Sequence, residues 1–257
     1  MKITKEEIKQ RFRRSEATYD ANVIIQRRAA RQLAFLLSAH LDYVPGRVLE
    51  IGCGTGLLTG ILRQMFPPGA MYLNDLVEET CLRTAARHSI PAAHCLPGDI
   101  ETLPLPPFDL VTSSSTFQWL EDPGATFERV ARSLCPGGLF VFSTFGRYNL
   151  REIRLTTGGG LEYRSQDELI GLLDPRFRVI EIHEDIRVVE FPDPLAILQH
   201  LKRTGSNVSG DRSVWTRRRV RAFIDEYNGR FALDGKVTLT FHPIYLACRR
   251  RSRRERP

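Results

Sequence analysis

Glu50-Ile51-Gly52-Cys53-Gly54-Thr55-Gly56 follows the apolar pair Val48-Leu49 and places glycine at every second position of a turn. Glycine accepts positive φ and lets a ligand lie against bare backbone, so this spacing suits a strand that turns tightly beneath a nucleoside. A dinucleotide fingerprint reads G-x-G-x-x-G/A, and its third small residue falls here on Leu57, so a pyrophosphate is not the expected ligand. Two acidic positions follow, Asp75 after Asn74 and Asp99 between Gly98 and Ile100. An ionised carboxylate only accepts hydrogen bonds, so Asp75 can take both hydroxyl hydrogens of a ribose. It can equally cap a helix that begins near Val77. Asp99 can accept from an adenine amino group while the amide of Ile100 faces a ring nitrogen; an ordinary turn at Gly98-Asp99 is the alternative.

These residues need a scaffold that brings distant turns together. Short apolar runs predict strands at 47–51, 70–74, 92–96, 108–113 and 138–144, and helical periodicity fits 57–66, 77–88 and 124–134. Such alternation implies a parallel sheet with helices on both faces, and ligands bind beyond the carboxyl ends of its strands. The glycine turn, Asp75 and Asp99 all fall at such ends. An earlier helix over 22–41 carries Ile25, Ala29, Leu33 and Leu36 on one face and stops at Pro45-Gly46. Cys135-Pro136-Gly137-Gly138 ends the 124–134 helix and turns into the next strand. Past residue 145 the rhythm changes to two long β-type segments, 177–191 and 236–249. Helices are predicted at 193–203 and 215–229, with a loop over 204–213.

Composition bounds the answer. A chain of 257 residues with 42% hydrophobic content can bury one sizeable core. Five cysteines, odd in number and without a C-x-x-C pair, argue against a disulfide framework or a zinc site and point to a reducing cytoplasm. No apolar run is long enough to span a membrane, and no apolar stretch follows Met1-Lys2 as a secretory signal would. The net charge of +7 is concentrated in residues 249–257, where six arginines face only Glu255. Such a tail is weak evidence for nucleic-acid binding.

The order E-x-G-x-G-x-G, Asp75, then Gly98-Asp99 resembles class I methyltransferases that use S-adenosylmethionine. The resemblance implies an α/β, Rossmann-like fold: a seven-stranded, mostly parallel sheet whose last strand is antiparallel, plus inserted helices. It implies one methyltransferase domain over 1–249, with an N-terminal helical segment 1–44, a core 45–145, inserts and final strands 146–249, and a disordered basic tail 250–257. It also implies Gly52, Gly54 and Gly56 beneath the methionine and ribose, Asp75 on the ribose, and Asp99 with Ile100 on the adenine. Glu50 is expected to orient the loop through backbone contacts. The methionine end is expected near Ser113-Ser114-Ser115-Thr116-Phe117-Gln118-Trp119, with Ser115 as a contact. That exit segment lacks the Asn/Asp-Pro-Pro-Tyr/Phe motif of many amino-methylating enzymes, so methylation of a nucleic-acid base loses ground.

A narrower resemblance extends beyond the core. Phe12-Arg13-Arg14-Ser15-Glu16-Ala17-Thr18-Tyr19-Asp20, Phe117-Gln118-Trp119, Phe145-Gly146 with Asn149-Leu150-Arg151-Glu152, Tyr163-Arg164-Ser165 and Leu198-Gln199-His200-Leu201-Lys202-Arg203-Thr204-Gly205-Ser206-Asn207 are similar to the malonyl-acyl carrier protein O-methyltransferase family of early biotin synthesis. Val23, Ser114, the stretch 209–216 and the arginine tail depart from the family pattern. The resemblance implies transfer of a methyl group to the free carboxylate of a malonyl thioester on an acidic acyl carrier protein, with no metal. Carboxyl groups titrate near pH ~4, so the acceptor is already ionised and needs no general base. Orientation alone can supply roughly 7–11 kcal/mol of such a displacement.

Arg147, with Arg151 as its neighbour, is the candidate guide for that carboxylate, because a guanidinium fork matches its geometry; solvated surface charge is the plainer reading. Tyr19 is the candidate to close over the donor or to donate to the acceptor, and lid packing is its alternative. The helix near 216–229 buries Val220, Phe223, Ile224 and Tyr227 and points Arg218 away with Arg219 and Arg221 on its flanks, a possible docking face for an acidic carrier. Two other readings share parts of this pattern. One is a small-molecule C- or O-methyltransferase acting on a quinone precursor. The other is an RNA- or DNA-binding protein on a methyltransferase fold, disfavoured by the intact donor motifs.

Overall fold

The computed structural model describes residues 3–206 and 216–252. The 209–216 stretch up to 215, the end of the expected 204–213 loop, and tail residues 253–257 lie outside the described residues. In chain order the helices are α1 (Lys5–Asn22), α2 (Ile24–His40), α3 (Leu57–Met65), α4 (Glu78–Arg87), α5 (Pro123–Ser133), α6 (Arg151–Thr157), α7 (Gln166–Leu173), α8 (Pro194–Arg203) and α9 (Arg217–Phe231). The first five strands are β1 (Val48–Ile51), β2 (Met71–Asp75), β3 (Cys95–Pro97), β4 (Phe108–Ser113) and β5 (Leu134–Phe145). The rest are β6 (Phe177–Glu184), β7 (Arg187–Phe191), β8 (Ala232–Leu233), β9 (Lys236–Phe241) and β10 (Pro243–Arg250). Backbone proximity divides the chain into two compact units.

The core unit comprises Ile24–Thr144, Arg164–Glu184 and Ile244–Pro257. Its seven-stranded sheet runs β3-β2-β1-β4-β5-β10-β6. Strands β1 to β5 pair in parallel, and β10 lies between β5 and β6, antiparallel to β6. This is the sheet expected from the sequence, with the last strand in chain order reversed. All four residues of β1 are buried, as befits a central parallel strand covered on both faces.

The strand period of two divides the side chains between two cores. Val48, Leu73, Leu110 and Val141 pack with Leu33 and Leu37 of α2, Leu58 and Leu62 of α3, and Cys81 of α4. Leu49, Ile51, Val111 and Phe140 face the other way, onto Phe127 and Val130 of α5 and Leu169 and Leu173 of α7. Phe117, Phe127, Phe140 and Phe142 form a ring cluster there, with centroid separations from 4.5 to 6.0 Å. All five cysteines are free thiols.

Several boundaries differ from the expectation; β5, expected from 138, already begins at Leu134, which pairs with Phe108. The 92–96 segment opens with a 3-10 turn at Ala92–His94, and β3 pairs only from Cys95. Pro91 holds φ at −56°, and the His94 ring stacks on Tyr72 at 4.1 Å, which favours the turn over an earlier strand start. At the chain's end, β10 continues to Arg250, and Arg251 donates through its amide to Arg176 and through its guanidinium to Asp174.

The second unit comprises Met1–Val23, Phe145–Tyr163 and Asp185–Pro243. Here a three-stranded antiparallel sheet, β7-β9-β8, accompanies α1, α6, α8 and α9. Each long β-type run of the sequence therefore splits between two sheets. The first breaks at Asp185-Ile186 and the second at His242-Pro243, where proline supplies no donor for a continuing ladder. Helix α1 opens with a capping box between Thr4 and Glu7, and Tyr227 of α9 donates its hydroxyl to the Thr238 carbonyl at 2.7 Å.

Buried Glu152 ties α6 to β9. Its Oε2 accepts from the Thr240 amide at 2.9 Å and its Oε1 from the Thr240 hydroxyl at 2.5 Å. The Gly146 amide donates to the His242 carbonyl, the Tyr148 amide to His242 Nδ1, and the His242 amide to Asn149 Oδ1. The whole Gly146–Glu152 stretch is thus bracketed by two residues, Thr240 and His242.

Candidate active site

The glycine loop leaves β1 with three residues at positive φ: Gly52 at 68°, Gly54 at 49° and Gly56 at 91°. Two of them are packed against neighbours and one is open. A Cβ on Gly52 would lie 2.2 Å from Thr116 Oγ1, so the loops after β1 and β4 meet only because that side chain is missing. A Cβ on Gly56 would lie 2.8 Å from His88 Nε2. Around Gly54 nothing lies within 4 Å of the Cβ position, which leaves an open backbone face where a ligand can rest. Gly56 then caps α3, whose first amides point towards the same turn.

Glu50, one residue before Ile51, is fully buried. Its Oε2 accepts from Thr59 Oγ1 of α3 at 2.7 Å, and burial pushes its carboxyl up to about 8. The residue therefore orients α3 behind the loop through Thr59. Cys53 donates its amide to the Asn74 carbonyl at 2.9 Å, which stitches the loop to β2.

Asp75, at the end of β2, serves two backbone groups. Its Oδ2 accepts from the Gly54 amide at 2.9 Å and its Oδ1 from the Val77 amide at 2.8 Å. The second bond turns the chain towards α4 but does not cap it, the alternative that the sequence left open: Val77 is itself the N-cap, with no side-chain cap bond. A carboxylate offers two lone pairs on each oxygen, so both bonds are compatible with ribose hydroxyls arriving as further donors. Asn74 Nδ2 donates to the carbonyls of Leu96 and Gly98 at 2.7 and 3.0 Å, and the Gly98 amide donates to the Asp75 carbonyl at 2.9 Å. These bonds bring the Gly98-Asp99-Ile100 turn beside Asp75. Asp99 Oδ1 accepts from the Glu101 amide at 3.1 Å, and the Ile100 side chain is buried in the core.

Beyond β4, Ser115 adopts a left-handed φ of 54°, and its amide donates to both the carbonyl and the hydroxyl oxygen of Ser143 at 3.1 Å. Gln118 donates to the Ser115 carbonyl at 2.5 Å, while its Oε1 is buried and finds no partner among the described residues. The structure thus brings Glu50, Gly52, Gly54, Gly56, Asp75, Asp99, Ile100 and Ser115 to one end of the core sheet. Tyr19 and Arg147 belong to the second unit, Tyr19 half-buried on α1 and Arg147 exposed after β5. Asn74 escaped the sequence reading as a site residue, and Thr116 and Gln118 were included only as part of the segment expected at the methionine end. Asn74 sits beside a residue that was singled out, and Gln118 lies inside a quoted motif, so position was the available signal.

A Methyltransferase domain model matches residues 49–142, the segment that holds the loop and both carboxylates. A malonyl-[acyl-carrier protein] O-methyltransferase of Chlorobium phaeovibrioides is 39% identical over 94% of this chain and 95% of its own length. The chain belongs to the malonyl-[acyl-carrier protein] O-methyltransferase family. A family member from Bacteroides fragilis is also 39% identical, over 95% of this chain, which spans 50% of that longer protein. Among solved structures, YcgJ of Bacillus subtilis has a TM-score of 0.62 at 16% identity, covering 86% of this chain and 99% of its own, and supports the fold. The chain is a methyltransferase whose methyl donor is S-adenosylmethionine. Its open Gly54 face, the carboxylates of Asp75 and Asp99 at successive strand ends and the unpartnered Gln118 oxygen fit a nucleoside carrying an ammonium group. Among the described residues no helix is long and apolar enough to cross a membrane, and no group of three or more His, Cys, Asp or Glu is arranged to hold a metal ion.

Proposed function

We propose that this chain methylates the free carboxylate of a malonyl thioester on acyl carrier protein, giving the methyl ester that primes pimeloyl synthesis for biotin. The observation that carries this reading is the 39% identity along 95% of a family member, which includes segments outside the shared methyltransferase core. When bound, S-adenosylmethionine supplies a methyl group on a positively charged sulfur. The carboxylate oxygen forms the new bond to carbon as the carbon–sulfur bond breaks, leaving a neutral thioether and a neutral ester. Because both charges vanish, no proton has to move.

The chain's task is to bind, orient and exclude water. In this reading the amides of the Gly52–Gly56 loop support the donor's methionine and ribose. Asp75 accepts from the ribose, Asp99 and the Ile100 amide read the adenine, Ser115 lies at the methionine end, and Glu50 holds the loop through α3. Arg147 guides the malonyl carboxylate by a paired hydrogen bond, and Tyr19 donates to the acceptor or covers the donor. Arg218 and Arg221, both exposed on α9, with Lys202 and Arg203 at the end of α8, offer a basic face for an acidic carrier protein. The reaction belongs to the cytoplasm, where carrier-bound thioesters are built.

Mass spectrometry of malonyl-carrier protein incubated with the enzyme and S-adenosylmethionine tests the proposal. The expected product carries one added methyl on the terminal carboxylate. An unmodified carrier, with methylation of a quinone precursor or an RNA instead, would overturn it.

A further inference from the structure

Helix α4 carries Cys81 and Thr84, and its C-cap residue is His88, at offsets of three and seven, the spacing that puts side chains on one helical face. This face underlies the glycine loop. Thr84 is 2% exposed, and its hydroxyl donates to the Gly54 carbonyl at 2.6 Å. Its methyl carbon lies 3.1 Å from the Cβ position of Gly56, so one β-branched residue touches two of the three glycines. One position before His88, exposed Arg87 donates to the Thr55 carbonyl at 2.9 Å. From β2, Asp75 takes the Gly54 amide at 2.9 Å. Both backbone polar groups of Gly54 are therefore held by side chains, although Gly54 has none of its own to restrain its φ of 49°.

A threonine inside a helix ordinarily turns its hydroxyl onto its own helix, and it is a modest helix former. Here the hydroxyl is spent on a loop thirty residues earlier. We propose that Thr84 is a positioning residue for the methyl donor: with Asp75 it pins Gly54, so that the loop's open face is preformed before S-adenosylmethionine arrives. The binding-competent loop is then the main population, and the donor's affinity is not reduced by the cost of ordering it. Arg87 extends the same grip to the next carbonyl.

Valine in place of Thr84 keeps the methyl contact with Gly56 and removes only the hydroxyl, whereas serine keeps the hydroxyl and removes the methyl. Calorimetric titration of S-adenosylhomocysteine into the full-length wild type, Thr84→Val and Thr84→Ser separates the two contributions. Thr84→Val should weaken binding about tenfold, since it removes the bond to the part-buried Gly54 carbonyl and frees the loop. Thr84→Ser should stay within about twofold of wild type, and hydrogen exchange of the 52–56 amides should quicken in Thr84→Val alone. A folded Thr84→Val that binds as tightly as wild type, or a Thr84→Ser that loses as much affinity, overturns the proposal. If Thr84→Val does not fold, Arg87→Met at its exposed site decides: roughly threefold weaker binding is expected, and unchanged affinity contradicts the grip of α4.

Discussion

The two compact units solve the same problem, holding a turn rigid, by opposite means. In the core unit the turn after β1 is made of glycines, and its shape comes from neighbours that fill the missing side-chain positions: Thr116 at Gly52 and His88 at Gly56. In the second unit the Gly146–Glu152 turn is held by polar side chains, with a buried carboxylate spent wholly on local bonds, two of them to Thr240. The glycine turn keeps an open backbone face for a ligand, while the polar bracket presents Arg147 and Tyr148 outward on a fixed backbone. A site that must touch a nucleoside along its length is built from absence of side chains. A turn that presents charged side chains outward is built from side chains that are themselves supported.

Substitutions in the two turns should therefore fail differently. Gly52→Ala should be the most damaging, because its Cβ would collide with Thr116 and sit at a φ of 68°. S-adenosylhomocysteine affinity should fall at least about a hundredfold, measured by calorimetry, whereas Gly54→Ala, with open space, should fold normally and lose about tenfold. Equal losses for the two would break the distinction between a packed and an open glycine.

Glu152→Ala should act on stability instead. It strands the Thr240 amide and hydroxyl in a buried site and should destabilise the protein by about 2 kcal/mol in a denaturant titration. Donor affinity should stay within about twofold. A large loss of donor affinity would show that the bracket serves the core unit's site after all.

A smaller effect is expected from Arg147→Lys, which keeps the charge and removes the planar fork. The KM for malonyl-carrier protein should rise about fivefold with the KM for S-adenosylmethionine unchanged. Identical kinetics would return Arg147 to the role of solvated surface charge.

The subtlest test uses pH. Glu50 has its carboxyl raised from 4.5 to about 8 in the folded chain. Between those values the native state keeps a proton that the unfolded chain has released, so stability should decline as pH rises through this window and level off above it. Glu50→Gln, which imitates the protonated form and can still accept from Thr59, should flatten that decline in denaturation midpoints taken from pH 5 to 8. A slope equal to that of the wild type would place the titrating group elsewhere.

The sequence exposed those features whose physics is local. Gly52, Gly54 and Gly56 are tied to a backbone conformation, and Asp75 and Asp99 stand where strands end, so residue type and spacing sufficed. The helices α2, α3, α4 and α5 declare themselves by the period of their buried residues. The clamp of Thr84 on Gly54 and that of Glu152 on Thr240 join residues far apart in sequence, and neither residue is unusual for its neighbourhood. Only the path of the chain brings them together. The same limit hid the three-stranded sheet: β6 and β7 read as one apolar run, as do β9 and β10, because strand periodicity says nothing about which partner a strand will choose.

Calorimetric titration of S-adenosylhomocysteine into the purified wild-type chain, alongside Asp75→Ala, tests the nucleoside site at the end of the core sheet most directly. One molecule should bind per chain with a saturating isotherm, and the variant should lose most of that affinity. No detectable heat from S-adenosylhomocysteine or S-adenosylmethionine in the folded wild type, or binding indifferent to Asp75, would contradict the account.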